Sequence, residues 1–290
     1  MRQNSDAGST VVIGFVILLM LIALGIGIWA LISLPAEIKE AESTHAIKLS
    51  NAFLDLKLSA DRVRVNNLSG ARFSMLMPGS SGMSGTTIGF EKNVGKLYMV
   101  WSGGEGQIPQ PPLEGKEVER IFAQIGGSRG TTVIGYEGGG VFRSDNGKAV
   151  WLTPGLLEIY PDTTEKERTT VRVDMVVVNL TGTPGVSGNW GVPVDCVFVE
   201  RNDIQPNAEN RTMTISFTGG NEEQTDLWYA QFMETQLRYY KNYPNCTIDV
   251  EAKNEGEYAT LTITAGSDEW VKVYIREATY DVSLVKRYEV

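Results

Sequence analysis

From Val11 to Leu34, within AGSTVVIGFVILLMLIALGIGIWALISLPAEIKEAES, the chain carries no charged residue. At 1.5 Å per residue, roughly 24 residues make a helix of about 36 Å, enough to cross a hydrocarbon core of about 30 Å. A cleaved secretory leader has a shorter apolar core, about 7 to 15 residues, followed by a small-x-small site in non-helical chain. Here the run is longer, and AEIKEAESTHAIKLSNAFLDLKLSADRVRV resumes a helical pattern directly after Pro35. The spacing predicts one long helix from about Thr10 to Arg64, bent near Pro35. In its second half Ile38, His45, Leu49, Ala52, Leu56 and Val63 make a narrow apolar stripe, interrupted by Glu42 and Ser59. Such a stripe packs either on the chain's own globular part or on neighbouring copies.

Beyond Arg64 the pattern changes to short alternating or β-branched runs divided by Gly, Pro and Asn, which predicts antiparallel strands. Examples are ARFSMLM, KLYMVWS, TVRVDMVVVNL, TMTISFT and YATLTITA, with SDNG as a hairpin turn. One helix interrupts the series, NEEQTDLWYAQFMETQLRYYKNYP, with Leu227, Trp228, Phe232, Leu237 and Tyr240 offered for a buried face. The expected class is α+β: a long hydrophobic then amphipathic N-terminal helix, followed by a mainly antiparallel, sandwich-like domain with one packed helix. The expected divisions are a leader at 1–8, the helix and stalk at 9–64, and a β-rich domain at 65–290. The charged run DTTEKER, near 162–168, marks a possible subdivision.

The 290 residues carry a formal net charge of -9, and no basic stripe interleaved with aromatics offsets it. A nucleic-acid partner is not expected. Orientation from flanking charge is weak, because Arg2 is the only basic residue before the apolar run and Asp6 offsets it. The side is set instead by the β-rich part, which holds four glycosylation sequons, at Asn67, Asn179, Asn210 and Asn245. It also holds both cysteines, Cys196 and Cys246. An extracellular location permits a disulfide between them, stabilising by roughly 2 to 4 kcal/mol; two buried free thiols are the alternative.

Catalytic chemistry has little to build on. His45, the one histidine, sits on the stalk helix, away from the strands where a Ser-His-Asp or Cys-His site would be assembled. Two cysteines about fifty positions apart do not make a zinc site. GGSRGTTVIG lacks the Gly-Lys-Ser/Thr ending of a phosphate loop and precedes a strand. A carboxylate pair such as Glu158 and Asp162 is not singled out from the other acids for glycoside chemistry. The acidic loops SDNG and GSDE offer oxygen ligands of the kind calcium takes. No catalytic residue, cofactor or resident metal is assigned, and the chain is not expected to be an enzyme.

A short polar leader ending in small residues, MRQNSDAGS, an uninterrupted helix that is apolar and then amphipathic, and a β-rich head together resemble the archaeal type IV pilin-like proteins. The segment VIGYEGGGVFRSDNGKAVWLTPG also looks like a strand-turn-strand stretch of archaeal pilin-like membrane proteins. The specific resemblance covers about the first 64 residues. It implies cleavage by a prepilin peptidase between Gly8 and Ser9, and assembly through Val11, Gly14, Phe15, Leu18, Leu21, Gly25 and Ile28. In such filaments apolar helices leave the lipid and pack together, so little hydrophobic stabilisation is lost. The implied partners are further copies or related pilins, the membrane and the peptidase, with the head at the cell surface, serving adhesion or surface interaction. Two features depart from the family: Asp6 and Ala7 replace the usual basic residue near the cut, and STVVIGFV lacks the usual early Glu. These departures suit a minor pilin, or the alternative reading of a non-polymerising, single-pass membrane-anchored extracellular binding protein.

Overall fold

The computed structural model describes residues 5–78, 85–102, 111–127, 130–162, 170–183, 185–187, 192–204, 211–240, 246–252, 257–266 and 269–284. Its helices are α1 (Ser5–Val65) and α2 (Glu222–Tyr240). The strands are β1 (Arg72–Met77), β2 (Gly85–Ser102), β3 (Leu113–Gly127), β4 (Gly130–Glu137), β5 (Gly140–Asp145), β6 (Lys148–Thr153) and β7 (Leu157–Asp162). Then follow β8 (Thr170–Gly182), β9 (Gly185–Ser187), β10 (Val192–Ile204), β11 (Thr212–Thr218), β12 (Thr247–Ala252), β13 (Tyr258–Thr264) and β14 (Trp270–Leu284).

The expected α+β class is corrected by this inventory: the protein is mainly β, with fourteen strands in two sheets among the described residues. Among the described residues no helix is long and apolar enough to cross a membrane. The physical reason for the change of class is that strand pairing, rather than helix packing, organises the core: β11, β13 and most of β14 bury alternate side chains, while β8 is buried on both faces and contributes to both apolar clusters.

By contacts the chain divides into two units, Met1–Thr44 and His45–Val290, so the last part of α1 belongs with the strands. Within the second unit the smaller sheet has the order β1-β10-β14-β8-β7. Its β14–β8 pair is parallel and the rest antiparallel. The larger sheet runs β12-β13-β11-β2-β3-β4-β5-β6, with β9 added beside β2. Two tight hairpins organise its far side. Gly138 and Gly139 join β4 to β5, and Asn146 and Gly147 join β5 to β6. All four have positive φ (55°, 85°, 54° and 80°), the conformation that suits a two-residue turn to the twist of the strands.

Both sheets contribute to two apolar clusters. One gathers Met99, Ile215, Phe217, Val173, Leu261 and Ile275 around Trp228 and Phe232 of α2. The other gathers Phe90, Ile121, Val178, Val194, Phe198 and Tyr280 around Leu49, Phe53 and Leu56 of α1. A buried link joins the sheets: Leu180 of β8 donates its N–H to the Glu119 carboxylate of β3 at 3.1 Å. The expected boundary near 162–168 lies, from residue 163 on, outside the described residues.

Candidate assembly surface

From Ile13 to Trp29 every side chain of α1 is exposed, and thirteen of them are large and apolar. Their exposures run from 45% at Val16 to 63% at Trp29, the values of a helix covered only by its own neighbours. The predicted assembly residues Phe15, Leu18, Leu21 and Ile28 lie in this stretch, and a methyl group added at Gly14, Gly25 or Gly27 would meet nothing within 4 Å. Burying such a side chain fully is worth roughly 1.5 to 3 kcal/mol, so leaving thirteen of them half-exposed forgoes on the order of 10 kcal/mol. The apolar surface faces all sides, unlike the single stripe of a helix lying on a core. Gly8, Ser9 and Val11 fall within α1, which begins at Ser5, ahead of the expected Gly8–Ser9 cut.

In the second unit the stalk stripe is buried in the chain's own core. The buried residues are Ala46, Leu49, Phe53, Leu56, Ala60 and Val63, at alternating spacings of three and four, with His45 beside them. Ala52, which the sequence stripe included, is only partly buried, while Phe53 and Ala60, which it omitted, are fully enclosed. The heptad-like pattern therefore packs against sheets rather than against another helix. Polar contacts fix its seat: His45 Nε2 lies 2.7 Å from Thr86 Oγ1, Tyr280 donates its hydroxyl to the Ala60 carbonyl at 2.7 Å, and Lys57 donates to the Gly139 carbonyl at 2.8 Å. Burial, helped by the nearby Lys48 charge, holds the His45 pKa below its ordinary value.

The expected Cys196–Cys246 disulfide is corrected: both are buried free thiols. Cys196, in β10, belongs to the cluster around α1, whereas Cys246, just before β12, belongs to the one around α2. Burial pushes Cys196 up to about 12 and Cys246 up to about 11, which keeps both protonated and unreactive. Of the sequons, Asn67 is exposed in a turn with φ 49°. Asn179 is half-buried in β8, its amide reaching Thr279 Oγ1 at 3.5 Å. Asn210 and Asn245 lie outside the described residues.

SDNG does not join a calcium site among the described residues, where no cluster of three or more His, Cys, Asp or Glu is arranged around a metal position. Asp145 of SDNG is held by Arg143 at 2.9 Å and by the Thr132 hydroxyl at 2.7 Å, while Ser267 and Asp268 of GSDE lie outside the described residues. A pocket of about 480 Å³ opens between a bulge in β2 and the start of α2, lined in part by Glu91, Lys92, Arg120, Asn221 and Gln224. Several of its polar groups are already matched. Arg120 donates to Glu91 at 2.7 Å, and Asn221 and Gln224 exchange backbone N–H to side-chain oxygen bonds of 2.9 and 3.0 Å, a capping box.

One residue that sequence reasoning missed stands out. Glu137 is completely buried, and Trp228 donates its indole N–H to it at 3.0 Å. The signal that was available is the run Glu137-Gly138-Gly139-Gly140, where consecutive glycines allow other groups to approach the backbone closely. No family model matches this chain, and neither a curated protein nor a solved structure does.

Proposed function

We propose that this protein is a structural subunit of an archaeal type IV pilus-like surface filament. It assembles through the apolar stretch of α1 and displays the β-rich unit for adhesion or surface interaction. The observation that carries the reading is the uncharged helix surface from Ile13 to Trp29, exposed on every side. Such a surface needs apolar surroundings on all faces, first lipid in a membrane-held precursor and then the helices of neighbouring copies. Prepilin peptidase and other copies of the chain are the implied partners.

A second reading, a retained single-pass anchor carrying an extracellular binding domain, is favoured by one feature: α1 already begins at Ser5, so the Gly8–Ser9 bond lies inside the helix.

The test is to determine the N-terminal residue of the native protein by terminal-peptide mass spectrometry and to image surface material by electron microscopy, with Leu18→Glu and Leu21→Glu variants alongside. A chain starting at Ser9, with filaments that either charge abolishes while the β unit stays folded, is the expected result. An intact Met1 without filaments refutes it in favour of the retained anchor.

A further inference from the structure

Glu137 ends β4, and no part of it is exposed. Its Oε1 accepts the Trp228 indole N–H, and its Oε2 has no hydrogen-bond partner. The turn that follows is crowded from several directions. A Cβ at Gly138 would lie 2.7 Å from the Trp228 ring, one at Gly139 would lie 3.1 Å from Val178 of β8, and one at Gly140 would lie 2.6 Å from the Trp151 ring of β6. The Trp151 indole N–H is given to the Leu227 carbonyl of α2 at 2.7 Å, and Lys57 of α1 reaches the Gly139 carbonyl. One short segment thus touches both helices.

We propose that Glu137 and its glycine turn form a proton-sensitive tie on α2: the helix packs closely over the neutral carboxyl and loosens when the proton leaves to solvent, because hydrating the fully buried carboxylate outweighs its stronger bond from the Trp228 N–H. The charged groups around it offer no dedicated counter-ion. Arg120 of β3 stands opposite Glu137 in register but is bonded to Glu91 of β2. Glu91 and Glu223, in the first turn of α2, add negative charge, and Lys57 is taken up by Asp61 at 2.8 Å and by the Gly139 carbonyl. β5, β6 and β8 present Gly140, Trp151 and Val178 to the turn, none of them charged. Burial is the main cause that raises the carboxyl from 4.5 to about 7. Because the folded value lies above the unfolded one, the tie's contribution is fully present below about pH 4.5. It is lost progressively as the pH rises to about 7.

The experiment is amide hydrogen exchange of the full chain at pH 5 and pH 8, corrected for intrinsic rates, in the wild type and in Glu137→Gln. The wild type is expected to lose protection in α2 by roughly tenfold or more over that interval relative to the variant, while β8 does not lose it. Equal pH dependence in the two proteins, or a loss shared equally by α2 and β8, overturns the proposal. Should Glu137→Gln fail to fold, isotope-edited infrared spectroscopy of the wild type decides the matter. A buried protonated-carboxyl band that disappears with a midpoint near neutrality supports the tie, and its absence at pH 6 overturns it.

Discussion

Replacing Gly138 by alanine separates two costs that this fold combines at one position. The first is conformational: Gly138 has φ +55°, where an L-residue loses roughly 1 to 2 kcal/mol. The second is steric: the new methyl would lie 2.7 Å from Trp228 Cζ2. Trp228 has little room to yield. It is almost fully buried, stacks on Phe217 at 5.2 Å, meets Trp151 edge-on at 6.0 Å and is held by Glu137. Overpacking of that kind costs roughly 1 to 3 kcal/mol, so Gly138→Ala is expected to lose about 2 to 5 kcal/mol in total. Gly147→Ala is the control. Gly147 has φ +80° and nothing within 4 Å of the added methyl, so only the first cost of about 1 to 2 kcal/mol applies. Urea unfolding of the full chain, followed by tryptophan fluorescence at one pH, measures both, provided the denaturant slope is unchanged. Equal losses in the two variants would refute the claim that Trp228 is fixed against the turn.

Phe53→Ala, which empties a fully buried site in the cluster around α1, is expected to cost about 3 to 5 kcal/mol, against less than about 0.5 kcal/mol for exposed Leu58→Ala, in the same unfolding assay. Without reductant, two thiols are expected to react with a chromogenic thiol reagent after denaturation and almost none before it; a denatured protein with no reactive thiol would contradict the free cysteines. His45 has its folded pKa below the unfolded value, so its contribution is complete above about pH 6.5 and is lost as the pH falls toward the folded value. Below about pH 6.5 the wild type should therefore lose stability faster than His45→Gln, and parallel curves would show that the buried His45–Thr86 contact does not couple to pH.

How far the sequence could be read depended on whether each signal was local. The β-rich character after Val65 was legible because β-branched alternation and turn residues act over a few positions, and Asn146-Gly147 placed its hairpin for the same reason. In α2 the periodicity located the helix but took in Leu237, which is exposed, instead of Tyr239, which is buried. Counted from Trp228, a face at 3.6 residues per turn continues through Phe232 and Thr235 to Tyr239. The α1 stripe was read correctly at His45, Leu49, Leu56 and Val63 but one position off between them: Ala52 was taken in place of Phe53, and Ser59 was read as an interruption where Ala60 is buried, because alanine is equally at home inside and outside a core.

The sequence by itself determined the uncharged apolar stretch, the net acidity, the single histidine and the strand-rich remainder, since each is a property of composition or short-range order. Only the tertiary structure decided the class, the separation of Cys196 from Cys246 and the burial of Glu137 against Trp228. Those outcomes rest on which strands become neighbours. Pairings such as parallel β8 with β14, about a hundred residues apart in the chain, are set by the summed burial of two sheets and leave no local mark on the residues they bring together.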